Sequence, residues 1–517
     1  MRRRRAGKTS GLEASRARAL PRLALACAAL PACTGIAVAQ PASESVLPFT
    51  PASLSFELVD ANGAPRGVTL GNGAAIENGV AADGERSLRL AAGDGREARA
   101  TLRIPAPEID GNRIRFSMRA RGADGADAID VLVRIDGPNG LLYVDRRRAS
   151  IADADDAGWA SVEIETPVFA AASSVRLNLA IERGTAWIDA IAIDGASTAS
   201  RPPASAAARR YVEYVLDLID SHSIYRASLD WPRFRADVLE QARGAATAED
   251  AHLAVRYALG ALGDVHGYLR ASDRAEALGR APVSNARTAR PPIPPDGRTL
   301  PGGIGYVTIP GFAGGTHMQQ VEFAEGLQSL LRSLDDEAGG ACGWIVDLRR
   351  NSGGNLWPML LGIGPLVGDG DAVIATYPDG RRDTVWYRDG KAGLGDYARL
   401  RVRGEPYRPR RADARVAILL GPDTASAGEV LAMAFRGVDG RRSFGAPTDG
   451  VNTGTRTFEL PDGAELVLAV VTMSDRTGRV YRGPMEPDIS AAPGPRDAPL
   501  LEQPDVRAAL DFAAEAC

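Results

Sequence analysis

The sequence has 517 residues, of which 45% are hydrophobic and 24% charged, a composition typical of soluble globular proteins with two or three domains. It speaks against a disordered chain and against a protein with many membrane spans. Without residues 1–39, 53 basic residues face 64 acidic ones, a net charge near −11. Such an acidic chain is a poor partner for nucleic acid.

The first 39 residues are predicted to be a cleaved signal peptide. A basic segment precedes the mostly apolar stretch Leu23 to Val38, and Ala37-Val38-Ala39 ends the region as a signal-peptidase site would. We therefore expect a periplasmic or secreted protein. Two alternatives stay open: a membrane anchor, for which the apolar stretch is short, and lipid attachment at Cys33.

Two cysteines, Cys342 and Cys517, lie beyond the predicted signal peptide. Export would permit a disulfide between them. The favoured interpretation is nevertheless a buried thiol at Cys342, in a strand-forming stretch, and a free terminal thiol at Cys517.

Residues 47–197 are predicted to form an N-terminal β-sandwich. Apolar and polar residues alternate in many short segments, as strands with one buried face require. The segment Thr185 to Asp189 resembles the closing strand of galactose-binding-like and carbohydrate-binding jelly rolls. Trp159 and Trp187 could therefore stack on glycans of the cell envelope, although aromatic residues in a sandwich more often belong to the core.

A Ser/Ala/Pro-rich linker is predicted at residues 198–208, and a small helical subdomain at residues 209–272. In that subdomain Thr247 and Asp250 fit a capping box that opens a helix running to Leu262.

Residues 302–492 are predicted to form an α/β core, followed by a C-terminal tail or helix at 493–517. Three apolar runs have strand length and are separated by helical segments, which favours a largely parallel sheet. These runs are Gly305 to Ile309, Trp344 to Leu348 and Val416 to Leu420, and the first helix is expected at Val321 to Leu334.

Ser426 is the candidate nucleophile. It follows an apolar strand and a Gly-Pro turn and opens an apolar helix, where unpaired N–H groups and the helix dipole favour an alkoxide. A serine at this position could also be a simple N-cap. The Gly353-Gly354 pair, which follows another strand, favours catalysis, because a backbone without side chains can offer N–H groups to an oxyanion. We assign the oxyanion hole to Gly353, with Gly354 as the alternative, together with Ala427.

Four motifs in this order resemble the tail-specific, C-terminal processing peptidase family. They are Gly302-Gly303-Ile304-Gly305-Tyr306-Val307, Asp347-Leu348-Arg349 to Gly354, Thr424-Ala425-Ser426-Ala427-Gly428-Glu429 and Gly483-Pro484-Met485-Glu486-Pro487-Asp488-Ile489. The resemblance covers residues 209–492. It implies a Clp-protease/crotonase-like core, a helical part in front of it and serine-dependent cleavage of polypeptides. Many members insert a PDZ domain, but the stretch from Asp273 to Pro301 has under 30 residues and cannot hold one.

The general base is predicted to be His266. Members with a Ser-Lys dyad carry lysine where this chain has Val451, and valine cannot take a proton. Branches that resemble the tricorn core and the nisin-resistance protein use a histidine from Leu-Gly-Asp-x-His, which matches Leu262 to His266. A neutral imidazole can take the seryl proton near pH 7. The other three histidines, His222, His252 and His317, are interpreted as structural.

A carboxylate is expected to orient His266. Asp264, Asp475 and Glu486 are the candidates, and Glu486 is favoured because tricorn-like members use a late glutamate. No histidine pair or cysteine pair has metal-binding spacing, so neither a metal nor another cofactor is expected. The sequence does not indicate the oligomeric state.

The sequence thus predicts a multidomain exported serine endopeptidase that acts on protein or peptide substrates. Two other classes remain. One is a non-catalytic ligand- or peptide-binding protein on the same fold, and the other is a serine hydrolase acting on cell-wall or carbohydrate substrates.

Overall fold

The structure is a computed structural model that describes residues 56–57, 67–93, 96–105, 111–137, 140–169, 171–270, 293–494, 498–515 and 517. The predicted signal peptide, with its cleavage site and Cys33, lies outside the described residues. In the described part of the chain, no helix combines the length and the apolar character needed to cross a bilayer.

The N-terminal region is a β-sandwich of two five-stranded antiparallel sheets. One sheet has the order β1-β4-β9-β6-β7, with β1 Val68–Leu70, β4 Ala98–Pro105, β9 Ser174–Ile181, β6 Ala128–Gly137 and β7 Gly140–Ser150. The other has the order β2-β3-β10-β5-β8, with β2 Ala74–Asn78, β3 Arg86–Ala91, β10 Thr185–Ala196, β5 Arg113–Ala123 and β8 Ala160–Pro167.

The sandwich core follows the alternation seen in the sequence. Val131, Val133 and Ile135 on β6 are buried between the sheets, as period-2 strands with one apolar face require. Trp159 is buried, and the half-buried Trp187 donates from Nε1 to Glu77 at 3.1 Å. Trp159 therefore belongs to the core, whereas Trp187 keeps part of its surface exposed.

The sandwich is followed by three helices: α1 Ala206–His222, α2 Trp231–Gln241 and α3 His252–Leu262. The predicted helix start after Thr247 is wrong. Thr247 and Asp250 do exchange hydrogen bonds of 3.0 and 3.2 Å, but the residues that follow form tight i to i+3 turns, so the helix begins only at His252. Gly263 ends α3 in the left-handed conformation, with φ 75°.

The helices pack on the sandwich through a mixed apolar and ionic contact. Phe169 of the sandwich stacks on Tyr257 of α3 with ring centroids 5.3 Å apart. A side chain at Gly260 would overlap the same phenyl ring, 2.4 Å away. Arg256 pairs with Asp145 at 3.0 Å, and both are buried. The sandwich and the helical part therefore share a packed interface.

The catalytic core contains a six-stranded sheet of order β12-β13-β14-β19-β20-β23. Its strands are β12 Asp296–Leu300, β13 Ile304–Thr308, β14 Gly343–Asp347, β19 Arg415–Leu420, β20 Arg441–Gly445 and β23 Ile489–Ser490. All neighbours after β13 are parallel. The helices are α4 His317–Glu337, α5 Leu356–Val367, α6 Ala427–Met433 and α7 Pro504–Ala514.

A second core sheet is antiparallel, and the sequence analysis missed it. Its order is β11-β22-β15-β16-β17-β18, with β21 also paired to β22. The strands are β11 Tyr268–Arg270, β15 Gly370–Thr376, β16 Arg382–Arg388, β17 Lys391–Leu394, β18 Tyr397–Arg401, β21 Thr453–Glu459 and β22 Glu465–Asp475. The short hairpins from β16 to β18 are rich in Arg, Asp and Gly, so their sequences lack the apolar runs from which the other core strands were predicted.

Cys342 and Cys517 form a disulfide. The interpretation of two separate thiols is therefore wrong. The reason is the path of α7, which packs Phe512 on Phe444 of β20 and lies against the start of β14 at Gly343. This packing returns the chain end to Cys342.

Candidate active site

Ser426 occupies a strained turn between β19 and α6. Its φ of 53° and ψ of −122° are rarely adopted by residues other than glycine. The N–H of Glu429 donates to the backbone carbonyl of Ser426 at 2.9 Å, and the Glu429 carboxylate accepts the N–H of Ser426 at 3.0 Å. Ser426 thus opens α6 in a capping box with Glu429, but its hydroxyl also has a partner outside the helix, so it is not a simple N-cap.

His266 meets that hydroxyl. Ser426 Oγ lies 3.0 Å from His266 Nε2, and His266 Nδ1 lies 2.9 Å from Thr453 Oγ1. Burial lowers the pKa of His266, and hydrogen bonding to Thr453 opposes this in part. The neutral imidazole is therefore favoured. With the proton assigned to Nδ1, Nε2 can accept the proton of the serine.

The loop that carries His266 is fixed by Asp264. This buried carboxylate accepts the N–H groups of His266 at 3.1 Å, Gly267 at 2.8 Å and Ala469 at 2.8 Å. The last bond attaches the loop to β22, beside the pairing of β11 with that strand. Asp264 thus holds the backbone of the loop and not the imidazole ring.

The structure does not bring Glu486 to His266. The Glu486 side chain is exposed, and its backbone carbonyl accepts from Arg436 at 2.7 Å. Asp475 is bonded to Tyr481 Oη at 2.7 Å and to its own turn. The neutral Thr453 takes the place expected for a carboxylate, because the β21–β22 hairpin brings it under the ring. No motif marked Thr453, since this contact depends on pairing between distant segments.

The glycine pair lies directly against Ser426. A methyl group at Gly353 would lie 2.8 Å from Ser426 Cβ and 2.9 Å from the nitrogen of Ala427, so only glycine leaves room there. The N–H of Gly353 itself is engaged, because it donates to Asn351 Oδ1 at 2.9 Å. Within the described residues, no acceptor is bonded to the N–H of Ala427 or of Gly354. This arrangement corrects the preference for Gly353 over Gly354 as an oxyanion donor.

Glu429 is a further site residue that sequence reasoning missed. Its buried carboxylate accepts the N–H of Ser426 and that of Gly450, both at 3.0 Å, and the hydroxyl of Thr448. Burial raises its pKa, and these hydrogen bonds oppose the rise. Glu429 therefore connects Ser426 to the segment that leads into Thr453. The glutamate three residues after the serine was the signal that could have indicated it.

No lysine of the described residues is hydrogen-bonded to Ser426 or His266. The chain has two lysines, Lys8 and Lys391, and Lys391 is exposed on β17. The other histidines have separate partners: His252 is 2.6 Å from Asp462, His222 stacks on Phe458, and His317 opens α4. Across the described residues, no group of three potential metal ligands is clustered.

Comparison with known proteins identifies the core. Residues 303–491 match the sequence profile of peptidase family S41. The nisin-resistance protein of Lactococcus lactis subsp. lactis is 27% identical over 284 residues, which cover 54% of this chain and 82% of that protein.

Two solved structures are similar. A lipoprotein from Streptococcus agalactiae is 21% identical and has a TM-score of 0.47, over 60% of this chain and 98% of that one. The photosystem II D1 C-terminal processing protease is 16% identical and has a TM-score of 0.41, over 60% of this chain and 99% of that one. Residues 303–491 are a domain of peptidase family S41, and the chain is a serine-type peptidase related to the nisin-resistance protein.

Proposed function

We propose that this peptidase is an exported endopeptidase in which Ser426 is the nucleophile and His266 the general base. The observation that carries the proposal is the 3.0 Å separation between Ser426 Oγ and His266 Nε2, which is hydrogen-bond reach for a base and its nucleophile.

The proposed reaction passes through an acyl-enzyme intermediate. Nε2 of His266 takes the seryl proton while Oγ attacks the scissile carbonyl, and the imidazolium then protonates the leaving amine. Water enters with the same histidine as base and hydrolyses the acyl-enzyme. Thr453 accepts from Nδ1 throughout, and so holds the ring and its tautomer. Because Thr453 is neutral, it supports the imidazolium by a hydrogen bond alone.

The oxyanion is proposed to bind the N–H groups of Ala427 and Gly354. Both are unengaged in the described structure, and the missing side chain of Gly353 leaves space beside the nitrogen of Ala427. Donors aimed at the developing charge supply several kcal/mol, about 3–4 for one donor.

Export is supported by the signal-like residues 1–39 and by the Cys342–Cys517 disulfide, since disulfides persist mainly in oxidising compartments. We propose a periplasmic or secreted location. We also propose the predicted domain limits, with the sandwich as a jelly roll of the galactose-binding-like kind. Its mixed strand order, in which sequence neighbours often lie in different sheets, supports that topology.

The sandwich is proposed to help position substrates. Partial desolvation raises the pKa of Asp449, near the nucleophile turn, and the charge of Arg134 on β6 opposes the rise. The charge of Arg134 thus acts on the segment that Glu429 holds next to Ser426. A polypeptide entering the site would pass beside this face.

Peptide release tests the proposal. A protein mixture incubated with the wild type should yield new peptides that are absent with Ser426→Ala. Single Ser426→Ala and His266→Ala variants should each lose roughly three or more orders of magnitude in turnover, and the double variant little more, since members of one catalytic unit are not additive. Cleavage that persists in Ser426→Ala would reject the assigned nucleophile. Ligand binding without any peptide release by the wild type would favour the binding-protein alternative.

A further inference from the structure

The C-terminal helix α7 lies outside residues 303–491, the part that matches the family. It packs on the six-stranded sheet and is attached at both ends. Beyond its last turn, Cys517 is bonded to Cys342 at the start of β14. In its first turn, Asp505 pairs with Arg349, just after the end of β14. The helix therefore spans the strand that leads to the glycine pair.

Arg349 lies between two carboxylates. Asp347 accepts from Nε at 3.0 Å and from Nη2 at 2.6 Å. Nη1 points the other way, to Asp505 at 2.9 Å and to Gln503 Oε1 at 2.6 Å. The Asp505 side chain is 0% exposed and that of Arg349 is 16% exposed. In such a setting, removing one partner leaves the other charge poorly compensated.

The backbone at Arg349 continues directly into the catalytic loop. Leu348 and Asn351 close a turn around it through a 2.9 Å hydrogen bond. Asn351 then accepts the N–H of Gly353 at 2.9 Å through its side chain and that of Ala425 at 3.0 Å through its carbonyl. One short turn thus sets both the glycine pair and the residue before Ser426.

The same turn also contacts the segment that leads into Ser426, at Gly421 and Thr424. Thr424 Oγ1 donates to the carbonyl of Leu348 at 2.8 Å, and a Cβ placed on Gly421 would be in van der Waals contact with Arg349, at 3.6 Å. A shift of Arg349 would therefore displace both the glycine pair and the segment that leads into Ser426, which lie on either side of the space where the oxyanion forms.

We propose that Asp505 is a positioning residue for the reaction, which acts through Arg349 to hold the oxyanion donors and Ser426 in register. This inference rests on the proposed Ser426 mechanism. Displacements near 1 Å, caused by a change away from the chemistry, can cost up to about 100-fold in rate. Asp505→Ala frees only one side of Arg349, because Asp347 still holds the other, so we expect kcat to fall about tenfold. KM should change by less than about threefold, because the peptide-binding surface is not touched.

The test separates positioning from folding. Active sites are counted by the amplitude of labelling with a fluorophosphonate, and kcat is expressed per labelled site. The inhibition constant of a peptide boronate, which mimics the tetrahedral state, should rise by the same factor as kcat falls. Binding of the same peptide sequence as an uncleaved ligand, measured in the Ser426→Ala background, should not change. Asp505→Asn, which keeps an acceptor for Nη1, should recover most of the rate.

Glu515→Gln is the matched control. Glu515 follows the far end of α7 and forms an exposed pair with Arg415, so its loss should leave kcat per labelled site unaltered. A wild-type kcat in Asp505→Ala would overturn the inference, as would a loss confined to KM. If Asp505→Ala does not fold, Gln503→Ala decides, because it removes the other acceptor of Arg349 Nη1 and should lower kcat in the same way; a wild-type kcat in that variant overturns the inference. Persistent cleavage by Ser426→Ala would instead reject the proposed function.

Discussion

Replacing Thr453 with valine removes the hydroxyl beside His266 and keeps the β-branched shape. In the structure this hydroxyl lies 2.9 Å from Nδ1 and is the protein partner of that nitrogen. Valine would leave the N–H of a half-buried ring without an acceptor, in both the neutral and the protonated form. The ring could then turn, or carry its proton on Nε2, where it would block proton transfer from Ser426.

The size of the effect follows from the hydrogen bond that is lost. A buried polar group left without its partner costs about 1–3 kcal/mol. If the full cost is felt when the imidazolium forms, kcat/KM falls about 5- to 150-fold. Thr453→Ser restores the hydroxyl and should stay within about threefold of the wild type. The assay is hydrolysis of a fluorogenic peptide, with initial rates measured over a range of substrate concentrations.

Thr455→Val provides the control, because Thr455 lies on the same strand but is exposed. It should retain wild-type kcat/KM. Retention of activity within twofold in Thr453→Val would refute the orienting role of the hydroxyl. An equal loss in Thr453→Ser and Thr453→Val would show that packing, and not the hydrogen bond, is what matters.

Three further predictions concern stability, the glycine pair and pH. Replacing Cys342 and Cys517 with alanine should lower the free energy of unfolding by about 2–5 kcal/mol, because a disulfide with a sequence separation of 175 no longer restrains the unfolded chain; an unchanged denaturation midpoint would contradict this. Gly353→Ala should abolish turnover through its overlap with the nucleophile, whereas Gly478→Ala, with a similar φ of 89° and no neighbour within 4 Å, should keep it. Burial lowers the pKa of His266, so its neutral form persists to more acidic pH, and kcat/KM should rise with pH through a midpoint below about 6.5; a midpoint above 7 is the outcome that would count against His266.

Local signals in the sequence predicted the parts of the molecule that depend on neighbours along the chain. The three core strands were placed within one residue of β13, β14 and β19. The hydroxyl of Ser426 and the ring of His266, predicted from separate motifs, lie within hydrogen-bond distance. Periodicity also indicated the sandwich, because its strands alternate cleanly between buried and exposed positions.

The missed features depend on contacts between distant segments. Thr453 reaches His266 only because β21 pairs with β22, and Asp505 reaches Arg349 only because α7 returns to the sheet. The disulfide has the same origin, since its cysteines meet through the docking of that helix. The prediction of Glu486 as the orienting carboxylate has a different origin. It was taken from a position in related proteins, which does not determine where this side chain points.

The strand β11 attaches the loop of His266 to β22, a strand that is reached only late in the chain. His266 precedes Ser426 by 160 residues, yet its ring acquires its place only after both residues have been synthesised and β22 has formed. A chain cut before β22 would therefore lack the strand that places His266 within hydrogen-bond reach of Ser426. We therefore expect peptidase activity to return during refolding no earlier than the protection of the β22 amides from hydrogen exchange.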